Sequence, residues 1–542
     1  MKFLENILHY KIQIISFCII IISLFLHAYN LTTVPSGLYL DETSIGINAG
    51  NIALHGVDEY GKSFPLYFEA FGEWKNPLYI YVSAGIMKIF GISEFTLRFT
   101  SVFFFGIFLF GIYLFVSEIF KNTKHRNYLI YFALVSASVT PWFFTLSRVA
   151  FEVISQISTG IFVLYFLYKY YVSGLKQSVQ NNIFGIFSGI SLGLFLYSYS
   201  TSKLIVFGIL FALFISFFEK KYWKKHLIIS ASFLLFLLPY LYFSYTHSGA
   251  LSARFELLTY LYNSDFSVIE KISIFLKNYF ASYDISNFLL FEGDKNLRHS
   301  TGFMGQIFFV TFVLFIIGVY KILSEILNTE TKSIKSIKSI KNRENLENIK
   351  YKLFLLILLV GAPISASLTT DLHHSLRLLF FGFIIFIFSL YGAEFIFQKY
   401  NTKIKKSMIF LLLLIPTVFQ SYFYFSDYFD KNSGYAKRAI LWFDGNKFEA
   451  HVQIAISSSG DKIYVFENPN DPFYANVDFF NMQTTEFSII MTKKSSVISD
   501  AKCVIVPRKN IQEFQQKSKK YNIKLKLNIK LETNLFTTYC LK

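Results

Sequence analysis

Pro77-Leu78-Tyr79-Ile80-Tyr81-Val82-Ser83-Ala84-Gly85-Ile86-Met87-Lys88-Ile89-Phe90-Gly91 is the stretch on which the topology of this chain turns. It is apolar, yet shorter than the ~20 residues a bilayer core requires, and it carries Lys88. Hydropathy alone leaves it between a membrane span and a helix lying in the interface. The class of the protein is set by what surrounds it. The 542 residues are 53% hydrophobic and 20% aromatic but only 16% charged, and uncharged apolar runs recur that are too long for a soluble core. This is an α-helical polytopic membrane protein.

Candidate spans fall at about residues 12–28, 99–117, 128–146, 150–171, 182–200, 204–218, 227–246, 306–327, 353–369, 376–396 and 407–425, roughly eleven in all. If Pro77 to Gly91 does not cross, the clusters Lys121/Lys124/Arg126, Lys169/Lys176, Lys220/Lys221/Lys224/Lys225, Lys332 to Lys352 and Lys399/Lys403/Lys405/Lys406 share one side with the N-terminus. The positive-inside bias makes that side cytoplasmic. If the stretch does cross, the clusters scatter onto both faces. Charge therefore lays it in the interface and puts the multi-pass chain in the plasma membrane, N-terminus inside. The formal net charge of +17 reads as a topology signal and not as a nucleic-acid face.

The run Ile12 to Ala28 follows Lys2 and Lys11 and precedes no small-residue cleavage site, so it reads as a retained span. Lys332 to Lys341 is a three-residue low-complexity repeat, a solvated basic linker beside anionic headgroups. Cys18, Cys503 and Cys540 make no disulfide framework, although the last two can pair in an oxidising compartment. After Phe425 strand-like runs appear at Lys462 to Phe466, Cys503 to Pro507 and Ile523 to Ile529, with a helix over Asn510 to Lys519. The expected division is a transmembrane catalytic domain over 1–425 and a small extracytoplasmic α/β domain over 426–542.

The loop from Asn30 to Arg98 then lies outside, with one interfacial helix after Asp41-Glu42 (Ser44 to Leu54) and another at Pro77 to Gly91. A second outer loop runs from about 247 to 305. The outer polar set is Asp41, Glu42, Tyr60, Lys75, Arg148, Glu152, Tyr199, Lys203, Arg298, His299, Asp371, His374 and Arg377. Carboxylates there can take a proton from an attacking hydroxyl, and Arg, Lys and His can hold a phosphate as it leaves, which suits group transfer from a lipid phosphate. Each has a plainer reading. Arg148 and Glu152, at i and i+4, equally suit an intrahelical ion pair, and Lys75 suits a headgroup anchor. His374 and Arg377 suit interfacial snorkelling, and Tyr60 is one of 36 tyrosines, which crowd membrane interfaces. The histidines show no metal-ligand spacing. A transporter or flippase would place its charges at the midplane and show internal repeats, neither of which is evident. An envelope polysaccharide polymerase or ligase is the other alternative.

The order Leu40-Asp41-Glu42, Gly56-Val57-Asp58-Glu59-Tyr60-Gly61, Trp74-Lys75-Asn76-Pro77-Leu78-Tyr79 and Gly91 to Arg98 resembles the opening of the GT-C glycosyltransferases. The nearest branch is the bacterial relatives of protein O-mannosyltransferases (dolichyl-phosphate-mannose-protein mannosyltransferases) and of the lipid A aminoarabinose transferase. Ser147 to Glu152, Phe291 to His299 and Ala366 to Arg377 are similar to that branch in kind and order, so the resemblance spans about residues 10–425. It implies a GT-C bundle with an outward cavity for a polyprenyl-phosphate sugar and Asp41 as catalytic base. The acceptor is a protein, lipid or glycan hydroxyl, and the displacement at the anomeric carbon is inverting. It also places Lys75, Arg148, Arg298, His374 and Arg377 about the donor phosphate, and leaves Glu42, Glu152 and Tyr60 to orient the acceptor or pair with cations. No cofactor is required, with room for a divalent metal but no assigned ligands. Asn76 stands where the first of two prolines is usual, and His373 where proline is common.

Overall fold

The computed structural model describes residues 2–173, 179–331, 340–399 and 403–439. In the tail it describes 442–443, 452, 455, 462–467, 474–483, 488–493, 501, 503–520, 528–532 and 536–540. The first half contains α1 (Lys2–Ala28), α2 (Leu40–His55), the hairpin β1 (Phe68–Ala70) and β2 (Glu73–Lys75), α3 (Pro77–Phe90), α4 (Glu94–Ile119), α5 (Arg126–Val139), α6 (Pro141–Leu146), α7 (Val153–Tyr168), α8 (Val179–Leu196) and α9 (Ser202–Ser216). There follow α10 (Trp223–Thr246), α11 (Ala253–Leu258), α12 (Val268–Ala281), α13 (Phe309–Thr331), α14 (Ile340–Gly361), α15 (Ile364–Ser367), α16 (Leu379–Lys399), α17 (Lys403–Phe429) and α18 (Tyr435–Arg438).

Each of the eleven expected stretches carries a helix. Among the described residues seven helical stretches are long and apolar enough to cross a membrane: α1, α4, α10, α13, α14 continued by α15, α16 and α17. The others are shorter for local reasons. Pro141 has no N–H to continue α5, so the chain breaks and restarts with proline in the first turn of α6. The helix α7 begins only at Val153. The centre is α16, buried along nearly its whole length, as a helix apolar on every side must be. Gly318 of α13 and Gly392 of α16 let the two backbones approach so closely that an added Cβ would strike the facing carbonyl.

The helix α3 buries Tyr79, Ile80, Ser83, Ala84 and Met87 along one stripe and leaves Ile89 and Phe90 largely exposed, the pattern of a helix with one covered face. Two fully buried arginines pin the turn between α1 and α2. Arg98 donates to the carbonyls of Leu31, Pro35 and Gly37, and Arg148 to those of His27, Asn30 and Val34. These carbonyls lie beyond any helix ladder, and each needs a donor once water is excluded.

The tail holds a five-stranded sheet in the order β4 (Ser488–Met491), β3 (Lys462–Val465), β5 (Cys503–Pro507), β7 (Phe536–Cys540), β6 (Asn528–Glu532). The first three strands run parallel, and β7 runs antiparallel to β5 and β6. The helices α19 (Tyr474–Met482) and α20 (Ile511–Lys520) accompany it. Cys503 and Cys540 face each other across β5 and β7 and are disulfide-bonded. The expected elements at 462–466, 503–507 and 510–519 appear as β3, β5 and α20. The third expected strand lies outside the described residues up to 527, and β6 continues from Asn528; the repeat over 332–339 also lies outside them. The helix α19 packs on α2, where Gly46 and Gly50 leave room for Phe479 and Met482.

Candidate active site

The N-terminus of α2, the β1–β2 hairpin, the start of α7, the turn after α8, the loop between α12 and α13, and the segment before α16 surround a cavity of about 170 Å³. Its lining includes Asp41, Glu73, Lys75, Glu152, Tyr199, Arg254, Arg298, His299, His374 and Arg377. The sequence delivers these groups by simple means. Asp41 and Glu42 sit in the first turn of α2, where the helix dipole favours carboxylates. Phe71 and Gly72 both take positive φ, the geometry of a tight hairpin turn, and so return β2 to bring Lys75 under Asp41.

Lys75 Nζ donates to Asp41 Oδ1 at 2.9 Å and lies 3.8 Å from Glu73, which in turn pairs with Arg254 at 3.0 Å. Burial would raise the Asp41 carboxyl, but Lys75, with Arg298 and Arg254 beyond it, holds it below the usual carboxylate value. Burial would likewise lower Lys75, and Asp41 and Glu73 more than reverse that. Both therefore stay charged at neutral pH. Asn76 donates twice to Glu152, from its backbone N at 2.7 Å and its Nδ2 at 2.8 Å. A proline at this position could make neither bond.

On the opposite wall Arg377 donates to Thr369 at 2.7 Å and pairs with Asp371 at 2.8 Å. Arg298 is held by Asn296 Oδ1 at 3.0 Å, with its guanidinium 4.4 Å from the Tyr39 ring centre and 5.3 Å from that of Trp442. Asp294 Oδ2 lies 3.1 Å from His299 Nδ1 and accepts from the Ser375 N–H at 2.8 Å. The His299 and His374 rings are 4.8 Å apart. Burial lowers both imidazoles, His374 well below the ordinary value, so they are neutral at pH 7. Asp294, His299 and His374 each offer a ligand atom within 4.8 Å of the others, a set able to hold a metal ion.

Of the residues singled out from sequence, Asp41, Lys75, Glu152, Tyr199, Arg298, His299, His374 and Arg377 meet in this cavity. Lys203, Asp371, Arg148, Glu42 and Tyr60 do not line it. Arg148, expected at a phosphate, is committed to backbone carbonyls and Tyr428. It makes no ion pair with Glu152, whose carboxylate faces Asn76. Glu42, fully buried, pairs with Arg98 at 2.9 Å and accepts from the Ala150 N–H at 2.8 Å, which is the ion-pairing alternative and not acceptor contact. Tyr60 is half-exposed in the turn after α2, its N–H on Asp58. The sequence reading missed Glu73 and Arg254 as cavity groups, and Asp294 as the partner of His299 behind the cavity wall. Glu73 adjoins the Trp74-Lys75-Asn76-Pro77 motif, which was a usable signal; Arg254 lies in the short helix α11, with no pattern of its own.

Residues 75–243 match a family model described as dolichyl-phosphate-mannose-protein mannosyltransferase. No curated protein matches the chain in sequence. Among solved structures it is similar to ArnT from Cupriavidus metallidurans bound to undecaprenyl phosphate, at 9% identity over 97% of both chains with a TM-score of 0.50. It is also matched to the oligosaccharyltransferase AglB from Archaeoglobus fulgidus, at 12% identity over 93% of this chain and 70% of that one with a TM-score of 0.48. A match to the S. cerevisiae Pmt1-Pmt2 complex has 18% identity over 44% and 34%, with a TM-score of 0.33. At these identities a structural likeness speaks for fold. In sequence over 75–243, and in fold over nearly its whole length, the chain is thus similar to the GT-C glycosyltransferases of the protein O-mannosyltransferase and aminoarabinose transferase kind.

Proposed function

We propose that the protein is a membrane glycosyltransferase that moves a sugar from a polyprenyl-phosphate donor to an acceptor hydroxyl on the outer face of the membrane. The observation that carries this reading is the meeting, in one cavity, of a carboxylate held ionised and a set of cations from separate loops. Lys75, Arg298 and Arg377, with Arg254, supply charge for a phosphate. His374 sits among them as a neutral hydrogen-bonding group. Asp41 is the base.

In this reading the acceptor oxygen attacks the anomeric carbon from the face opposite the phosphate. The new C–O bond forms as the bond to the phosphate oxygen breaks. The hydroxyl proton passes to Asp41, and the electron pair leaves on the lipid phosphate, where the cations stabilise it. Lys75 couples the two halves. An arriving phosphate shares its ammonium, which weakens the Lys75–Asp41 bond and makes Asp41 a stronger base only once donor is in place. Glu152, fixed by Asn76, is left to orient the acceptor. The family match to mannosyltransferases supports a glycosyl donor, and the polyprenyl lipid in ArnT supports the class of carrier. The disulfide between Cys503 and Cys540 suits an extracytoplasmic tail.

The test is sugar release from a panel of synthetic polyprenyl-phosphate monosaccharides by the protein in nanodiscs, wild type against Asp41→Asn. Turnover confined to the wild type supports the reading and names the sugar. Equal release by both removes Asp41 from the mechanism. No release with any donor in the presence of a crude acceptor extract returns weight to the flippase alternative.

A further inference from the structure

His374 poses a problem that the transfer chemistry leaves unsolved. Its Nδ1 is buried and has no hydrogen-bond partner among the described residues. Such a group has given up its hydrogen bond to water with nothing in exchange. Beside it stands His299, whose own ring is oriented by Asp294, and Asp294 is fixed in turn by the Ser375 N–H. Two imidazoles and an anchored carboxylate from two separate loops thus converge at one point, the two rings on the cavity wall and the carboxylate behind them. We propose that Asp294, His299 and His374 are the three protein ligands of a divalent transition-metal site of the zinc class, its open position facing the cavity.

The donor set is the one such ions select: imidazole nitrogen and carboxylate oxygen, three from the protein and one place left for water or substrate. Tetrahedral bonds of about 2.0–2.2 Å set ligand atoms about 3.4 Å apart. The Asp294–His299 edge, at 3.1 Å, is near that spacing already; on binding, the ion takes the place of the Nδ1 proton shared on that edge, and the other ring nitrogen, Nε2, carries the proton of the neutral imidazole. The remaining edges, none beyond 4.8 Å, close by turning His374, whose Nδ1 has no bond to break. The Ser375 N–H is the kind of outer contact that holds a ligating carboxylate in place. The nearby guanidinium groups are engaged elsewhere, Arg377 by Asp371 and Arg298 by Asn296, Tyr39 and Trp442. In this picture the ion would meet an anionic oxygen entering the cavity.

The proposal is tested without any transfer assay, so its failure is separate from failure of the glycosyltransferase reading. Protein with its affinity tag removed is reconstituted in nanodiscs, stripped with chelator, exposed to Zn²⁺ or Co²⁺ and desalted. Elemental analysis is expected to find about one zinc per wild-type chain, and Co²⁺ to give the visible absorption of a four- or five-coordinate ion. His299→Gln and His374→Gln should each lose the ion and the band while keeping the metal-free melting temperature. Asp294→Asn, which removes the anionic ligand, should release the ion on desalting as the histidine variants do. Wild-type protein that retains no zinc, or a His374→Gln variant that retains as much as wild type, overturns the assignment and leaves an Asp294–His299 hydrogen-bonded pair beside an unsatisfied imidazole.

Discussion

Asp41 and Glu42 are neighbours in sequence, both carboxylates, both in the first turn of α2, and both paired with a cation; yet the two ends of that pairing belong to different worlds. Glu42 and Arg98 are wholly buried, and each is saturated by fixed partners: Tyr39 and Ala150 N–H groups on one side, three loop carbonyls on the other. Asp41 is 37% exposed and, among the described residues, has only Lys75 at hydrogen-bond distance. A sealed, fully partnered ion pair has nothing to exchange and serves to define the backbone around it. A half-open pair can trade one partner for substrate. The comparison teaches that adjacent acidic residues in a membrane loop need not share a role, and that the face of α2 decides which does what.

Asp41→Asn is the sharpest way to break the comparison. It keeps the size of the side chain and removes a base, so transfer should fall by about 10²–10⁴-fold or more while melting temperature and membrane insertion hold. Arg98→Ala should do the reverse. Removing one partner of a buried pair leaves the Glu42 charge unpaired and costs about 3–5 kcal/mol, so the variant should express poorly and melt early. A stable Arg98→Ala protein, or an unstable Asp41→Asn one, would collapse the distinction. Thermal melts followed by fluorescence-detected size exclusion read both.

Much of this was legible in the chain itself. The bundle follows from hydropathy, and Asp41, Lys75, His374 and Arg377 stand out as charges where charges are costly. What could not be read was which polar groups turn inward to carbonyls. Arg148 looks from sequence like Arg377, but the carbonyls it satisfies belong to the turn after α1, more than a hundred residues away in the chain. The convergence of Asp294, His299 and His374 was equally hidden, because metal-ligand spacing in sequence detects only ligands on one short segment. The role of Asn76 was half visible: its departure from proline could be seen, its two bonds to Glu152 could not.

Lys75→Ala should act between these extremes. It removes a phosphate contact made in ground and transition states alike, so donor KM should rise by about 10–100-fold and added donor should recover part of the rate. It also sharpens the pH profile. Because Lys75 holds Asp41 below the ordinary value of 3.8, the base is present at all higher pH and is lost only as pH falls through its lowered value. The acid limb of kcat/KM therefore belongs below the ordinary carboxylate range, and that of kcat above it in pH, since bound donor shares the ammonium. In Lys75→Ala the acid limb of kcat/KM should move up. A limb that does not move would mean that Lys75 is not what keeps Asp41 ionised.

The smallest effect tests whether the tail takes any part in the site. Trp442, 38% exposed, is the tail residue that stands against the Arg298 guanidinium, at 5.3 Å from its ring centre, while Tyr39 from the bundle covers that guanidinium at 4.4 Å. An exposed cation–π contact contributes about 0.5–1 kcal/mol, so Trp442→Ala should raise donor KM by about two- to fivefold and leave kcat alone. Tyr39 and Asn296 remain to hold the side chain, which is why the change should stay small. An unchanged KM would leave the tail to packing contacts such as those of Phe479 and Met482 on α2, and a fall in kcat would mean that it reaches the reacting groups.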